Sequence, residues 1–186
     1  MFNSAGLAAG TLAEAEKEVG QVFQEGGIEV RWLDCSAPPD FVRDPDPCKA
    51  PQGPADLSLR LAKGPVPADM GVRPNALGLV VNTKQGGVFA FIFCSRLQEL
   101  VQTAGLPLSR VLSCALSHEM GHLLMGDRPH SFHCLMRGDW DAKDLRYMAM
   151  RPLSFLPQES ALMRPNLEKR LRSGTGSKGL VIAKGQ

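Results

Sequence analysis

The sequence predicts an α+β domain built from a small sheet and a set of helices. Three observations carry this. A helical repeat opens the chain after Thr11, short strand-like runs follow between Pro- and Gly-bearing turns, and a long helical stretch over 109–125 begins a second half without strands. At 186 residues, 44% hydrophobic and 22% charged, the chain fits a single globular domain with a tail. We expect the domain to occupy residues 1–172 and a flexible basic tail to occupy 173–186.

In the first helix Leu12, Ala15, Val19, Val22 and Phe23 recur at helical spacing. Thr11 and Glu14 stand as a capping box and Gly26-Gly27 as the stop. Ile28 to Leu33 alternates as a half-buried strand with Ile28, Val30 and Trp32 facing in. Nine of the fourteen prolines lie between Pro38 and Pro74, and residues 35–56 read as an irregular loop. Cys35 and Cys48 flank it. A disulfide between them would close a loop of about fourteen residues and contribute roughly 3 kcal/mol; the alternative is two unrelated thiols.

Further strands are expected at Leu57–Ala62, Leu77–Asn82 and Val88–Phe93, the last two joined by a hairpin at Gln85-Gly86-Gly87. Helices follow at Ser95–Ala104 and Ser109–Met125, each capped by its serine and ended by glycine. Asp141–Met150 and Pro157–Arg172 also read as helical, the second interrupted at Pro165.

Bulk composition excludes several classes. The longest apolar run, Val88 to Cys94, is far shorter than the ~20 residues that span a bilayer, so no membrane partner is expected. The net charge of +2 divides into a slightly acidic body and a basic end, with six Lys/Arg and one Glu from Arg164 onward. No aromatic residue accompanies those basic ones, so they offer phosphate contacts without stacking, and no nucleic acid is expected. The first ten residues carry neither the basic nor the apolar region of a signal peptide. We expect a monomer.

The rare residues carry the chemistry. All four histidines fall between His118 and His133. His118-Glu119-Met120-Gly121-His122 is an HExxH pattern inside the long helix. Residues four apart share a helix face, so both imidazoles can bind one ion at about 2.0–2.1 Å. Glu119, one position round, can take a proton from a water that the ion activates. Zn²⁺ is the cofactor this chemistry calls for, with a peptide or protein as substrate.

A catalytic zinc needs a third protein ligand. His130 follows the turn Gly126-Asp127-Arg128-Pro129 and is the first choice. His133, Glu159, Asp127, Asp139 and Asp141 are rivals, and Cys114 lies one turn before His118. The stretch HEMGHLLMGDRPHSFHCLM here resembles the metzincin zinc peptidases, and matrixins most closely. Their HExxHxxGxxH pattern is followed by the methionine of a tight Met-turn. Gly126 stands one residue later and His130 two residues later than in that pattern, so the turn must be looser.

The resemblance implies a metzincin-like zincin fold: a small mixed sheet, an active-site helix, a Met-turn at Leu135-Met136 and C-terminal helices. It implies a zinc-dependent endopeptidase with His118, His122 and His130 as ligands and Glu119 as general base. A substrate would add to an edge strand, either Val88–Phe93 or Leu77–Asn82, with Arg137 to Trp140 as the wall of the specificity pocket. Two alternatives stand beside it: a non-proteolytic zinc-binding module on a peptidase scaffold, and a gluzincin-type peptidase completed by Glu159. Together with a Cys35–Cys48 disulfide, the resemblance implies a secreted or periplasmic location. A cytoplasmic one would favour five free thiols.

Overall fold

The computed structural model describes residues 1–36, 48–64, 71–82, 88–126, 129–173 and 180–183. The expected hairpin at 85–87 and Asp127 lie outside them. The chain is α+β, with a small mixed sheet and five helices. In order it runs β1 (Phe2–Asn3), α1 (Ala9–Glu25), β2 (Val30–Trp32), β3 (Leu57–Ala62), β4 (Gly78–Asn82), β5 (Val88–Phe93), α2 (Cys94–Ala104), α3 (Leu108–Met125), α4 (Ala142–Met148), α5 (Pro157–Ser173) and β6 (Leu180–Ala183).

The sheet order is β2-β6-β3-β5-β4, with β1 also beside β3. All pairings are parallel except β4 with β5, where Leu79 stands opposite Phe91 and Val81 opposite Phe89. Among the described strands β4 therefore ends the sheet. Val88–Phe93 is paired on both sides and offers no free edge, leaving the strand after Leu77 as the edge.

Alternation explains the layering. Leu57, Leu59 and Leu61 of β3, with Ala90 and Ile92 of β5, are fully buried against the helices. Each such leucine contributes ~1.5–3 kcal/mol by leaving water. Helix α3 runs through the middle, touching the sheet at β3, β4 and β5 and the helices α1, α2 and α5. It is buried almost all round between Val111 and Met125, so His118 and Glu119 on it are held in a desolvated setting. No helix among the described residues is long and apolar enough to cross a membrane.

Several expectations need correction. The helix N-caps are Ala8, Phe93 and Pro107, none with a side-chain bond, instead of Thr11, Ser95 and Ser109. For α3 the Pro107 carbonyl accepts from the N–H groups of Arg110 and Val111, which organises the first turn without a serine. Pro165 does not break α5. It and Ala161 are exposed, so the carbonyl that Pro165 leaves without a donor faces water. The tail is not wholly loose: Leu180-Val181-Ile182-Ala183, a β-forming quartet, inserts between β2 and β3. Cys35 and Cys48 are joined by a disulfide, with Cα atoms 5.7 Å apart.

Candidate metal centre

Helix α3 presents His118 and His122 on one face, and the chain returns after Gly126 to bring His130 to them. The Nε2 atoms of His118 and His122 are 3.1 Å apart, as are those of His122 and His130. All three lie within 4.8 Å of one another. Two nitrogens each about 2.05 Å from one ion at the tetrahedral angle stand about 3.3 Å apart, so the donor set fits a metal. Without a cation three ring nitrogens would crowd one point, and one ring proton cannot serve all three lone pairs.

The ring of His118 is fixed from behind. Its Nδ1–H donates to the Leu135 carbonyl at 2.8 Å, which leaves Nε2 unprotonated and turned to the cluster. The Trp140 indole N–H donates to the same carbonyl at 3.3 Å, and its ring meets His118 edge-on. Burial, then the neighbouring His122, pushes the His118 imidazole down to about 3, so it stays neutral as a ligand must. His130 is also lowered, by partial burial and by the Arg73 charge, with Asp139 opposing.

Met136 lies directly beneath. A Cβ on Gly121, between the two helix histidines, would sit 2.7 Å from Met136 Sδ and 2.8 Å from Phe155 Cε1. Glycine is therefore required here for close packing. Cys134, two residues before Met136, has φ 61, and Arg137 N–H closes the turn on its carbonyl. The same turn holds His130: Ser131 N–H donates to the Met136 carbonyl at 2.9 Å, and Leu135 N–H donates to Ser154 O.

Glu119 is 7% exposed, and no hydrogen bond or ion pair reaches it among the described residues. Burial alone raises its carboxyl to about 8. Its position is set by Gly78 at the start of β4, whose Cα it abuts. A Cβ there would lie 2.5 Å from Glu119 Oε1. A buried carboxyl without a partner costs stability, and its presence in a cleft marks a group kept for chemistry.

The rivals for the third ligand have other duties. Glu159, 5% exposed, accepts from the Ser131 hydroxyl and from Leu156 N–H at 2.7 Å. It is engaged as a brace, and the cluster of possible metal ligands does not include it. His133 is exposed and outside the cluster. Asp139 pairs with Arg73 and Asn75. Asp141 caps α4, with Asp144 N–H and then Arg137 holding its carboxyl down to about 2. The Cys114 thiol is buried, pushed up to about 12, and accepts from Leu153 N–H.

A cleft of about 670 Å³ opens over the cluster. The segment leading into β4 lines one side and Arg137 to Trp140 the other, where the sequence had put the pocket wall. Sequence reasoning missed Gly78, Arg73 and the Ser131–Glu159 brace. No protein-family model, characterised protein or solved structure matches the chain.

Proposed function

We propose that the protein is a zinc-dependent endopeptidase of metzincin-like type, with His118, His122 and His130 as ligands and Glu119 as general base. One observation carries this reading. A desolvated carboxyl with no partner among the described residues stands in the cleft beside three converging imidazoles, and a purely structural metal site has no use for it. Zn²⁺ bound there would supply Lewis-acid polarisation of a peptide carbonyl and acidify water.

The chain's own groups do the rest. Glu119, raised toward neutrality, accepts a proton from the attacking water and returns it to the leaving amine. Leu135 O fixes the His118 ring, and Met136 under Gly121 holds the floor. The unpaired side of β4 supports an extended substrate bound by backbone hydrogen bonds, with its chain running past Glu119. The Cys35–Cys48 disulfide favours an oxidising compartment, as in secreted or periplasmic proteins.

The test is metal analysis beside cleavage of unfolded protein and peptide libraries. The wild type is expected to bind about one zinc and cleave. Glu119→Ala is expected to bind the same zinc and cleave nothing. Retained cleavage in that variant refutes the mechanism, and zinc uptake without turnover in the wild type refutes the peptidase reading.

A further inference from the structure

The two walls of the cleft meet beside His130. Arg73, in the segment leading to β4, donates through Nη1 to Asp139 Oδ2 at 3.3 Å, and Asn75 Nδ2 donates to Asp139 Oδ1. Both oxygens of Asp139 are thus taken from the opposite wall, and the pair aims the guanidinium. Its backbone is held from behind, where Arg96 Nη1 donates to Arg73 O at 3.0 Å and to Ala76 O at 2.6 Å.

Gly138 leaves room between the guanidinium and the third imidazole. The point a Gly138 Cβ would occupy is 3.3 Å from Arg73 Nη2 and 3.1 Å from His130 Cγ. Arg73 and His130 are therefore neighbours with no side chain between them.

Among the described residues three guanidinium groups line this cleft, and two are committed. Arg137 is held by Asp141 and Asp144, and Arg96 by the two carbonyls. The Arg73 guanidinium gives one N–H to Asp139 and makes no other hydrogen bond among the described residues. That ion pair is more than half exposed on each side and contributes little. A metal on the three histidines would add positive charge beside the Arg73 guanidinium, opposed among the described residues chiefly by Asp139 and the Glu119 carboxyl. A guanidinium with spare N–H groups matches a carboxylate in shape and charge.

We propose that Arg73 determines specificity by receiving a carboxylate of the substrate beside the metal ligands. The inference deepens the peptidase reading and rests on it. The carboxylate has two sources: the free C-terminus of a peptide, or an Asp or Glu side chain near the scissile bond.

The experiment uses hexapeptides identical except for a C-terminal acid or amide and for Asp or Asn at each internal position. Binding to the zinc-loaded full chain is measured by calorimetry in the Glu119→Gln background, which leaves the peptides intact. Cleavage is measured with Glu119 present, and zinc content is determined for every variant. One carboxylate position is expected to tighten binding roughly 10- to 100-fold, as charge-assisted hydrogen bonds do. Arg73→Gln is expected to bring that ratio to about one, with zinc bound at least as tightly, and Arg73→Lys to keep part of it. The position that carries the preference tells a terminal acid from a side chain. An acid-to-amide ratio unchanged by Arg73→Gln overturns the proposal. Cleavage without any carboxylate preference sinks this inference alone, and a carboxylate preference without cleavage sinks the peptidase reading alone.

Discussion

Glu119→Gln gives a measurable stability effect in the metal-free protein, separate from any effect on turnover. Burial raises the Glu119 carboxyl from its ordinary 4.5 to about 8, and no hydrogen-bond or ion-pair partner among the described residues offsets it. A carboxyl whose value is raised on folding holds more protons folded than unfolded between those two pH values. Stability then falls as pH rises through that window. Each tenfold displacement of a proton equilibrium is worth about 1.4 kcal/mol, so the upper bound above pH 8 is ~5 kcal/mol. Glutamine keeps the size and loses the charge. The chelator-treated variant is therefore expected to be more stable than the wild type at pH 8, with the gap closing toward pH 4.5. Even a third of the bound, ~1.6 kcal/mol, raises Tm by about 3–6 °C in a chain of this length. Paired thermal melts of both proteins across pH 4.5–8 measure it. A gap independent of pH refutes the claim that Glu119 is buried without a partner.

Three other outcomes are expected. Gly78→Ala pushes a methyl against Glu119, so kcat should fall ~100-fold with zinc affinity unchanged, as kinetics and chelator competition will report. Glu159→Gln removes the charge that holds Ser131 and the Leu156 N–H, so zinc affinity should drop about 10- to 100-fold by chelator competition. Unaltered affinity there would mean that the brace does not orient His130. In native protein at pH 8, alkylation should modify Cys134 first. Cys94 and Cys114, with thiols at about 12, should react only on unfolding, and Cys35 and Cys48 only after reduction.

What the sequence revealed was local. The period of four in His118 to His122, the glycine stops at Gly105 and Gly126, and the alternation in Leu57–Ala62 each arise within one element, where spacing alone decides the face. Glu159 misled for the opposite reason. An acid in the first turn of α5 looks free to reach a metal, and only the return of the chain at Ser131 shows what it holds. Gly78 had no signal either, because its smallness matters only against Glu119 of another element. The end of the chain misread differently: Gly- and Lys-rich flanks hid the apolar quartet that forms β6, whose slot exists only once β2 and β3 are in place.

The departure of this chain from the HExxHxxGxxH spacing has a physical resolution. Were His130 aimed by the helix exit, two extra residues after His122 would swing its ring away from the other two. Its restraints come instead from the far side. Ser131 N–H holds the Met136 carbonyl, the Ser131 hydroxyl meets Glu159, and the His130 ring packs close against Gly138. The Met136 turn is in turn fixed to α3 by the Leu135–His118 bond and the Gly121 contact. The third histidine is thus referenced to the first through residues that follow it, and the length of chain between Gly126 and His130 is free to vary. A one-residue insertion or deletion between Gly126 and Pro129 should then leave zinc affinity within about tenfold, whereas loosening the turn itself through Glu159→Gln should not. Chelator competition on both variants decides it. Loss of zinc on the length change alone would return control of His130 to the helix exit.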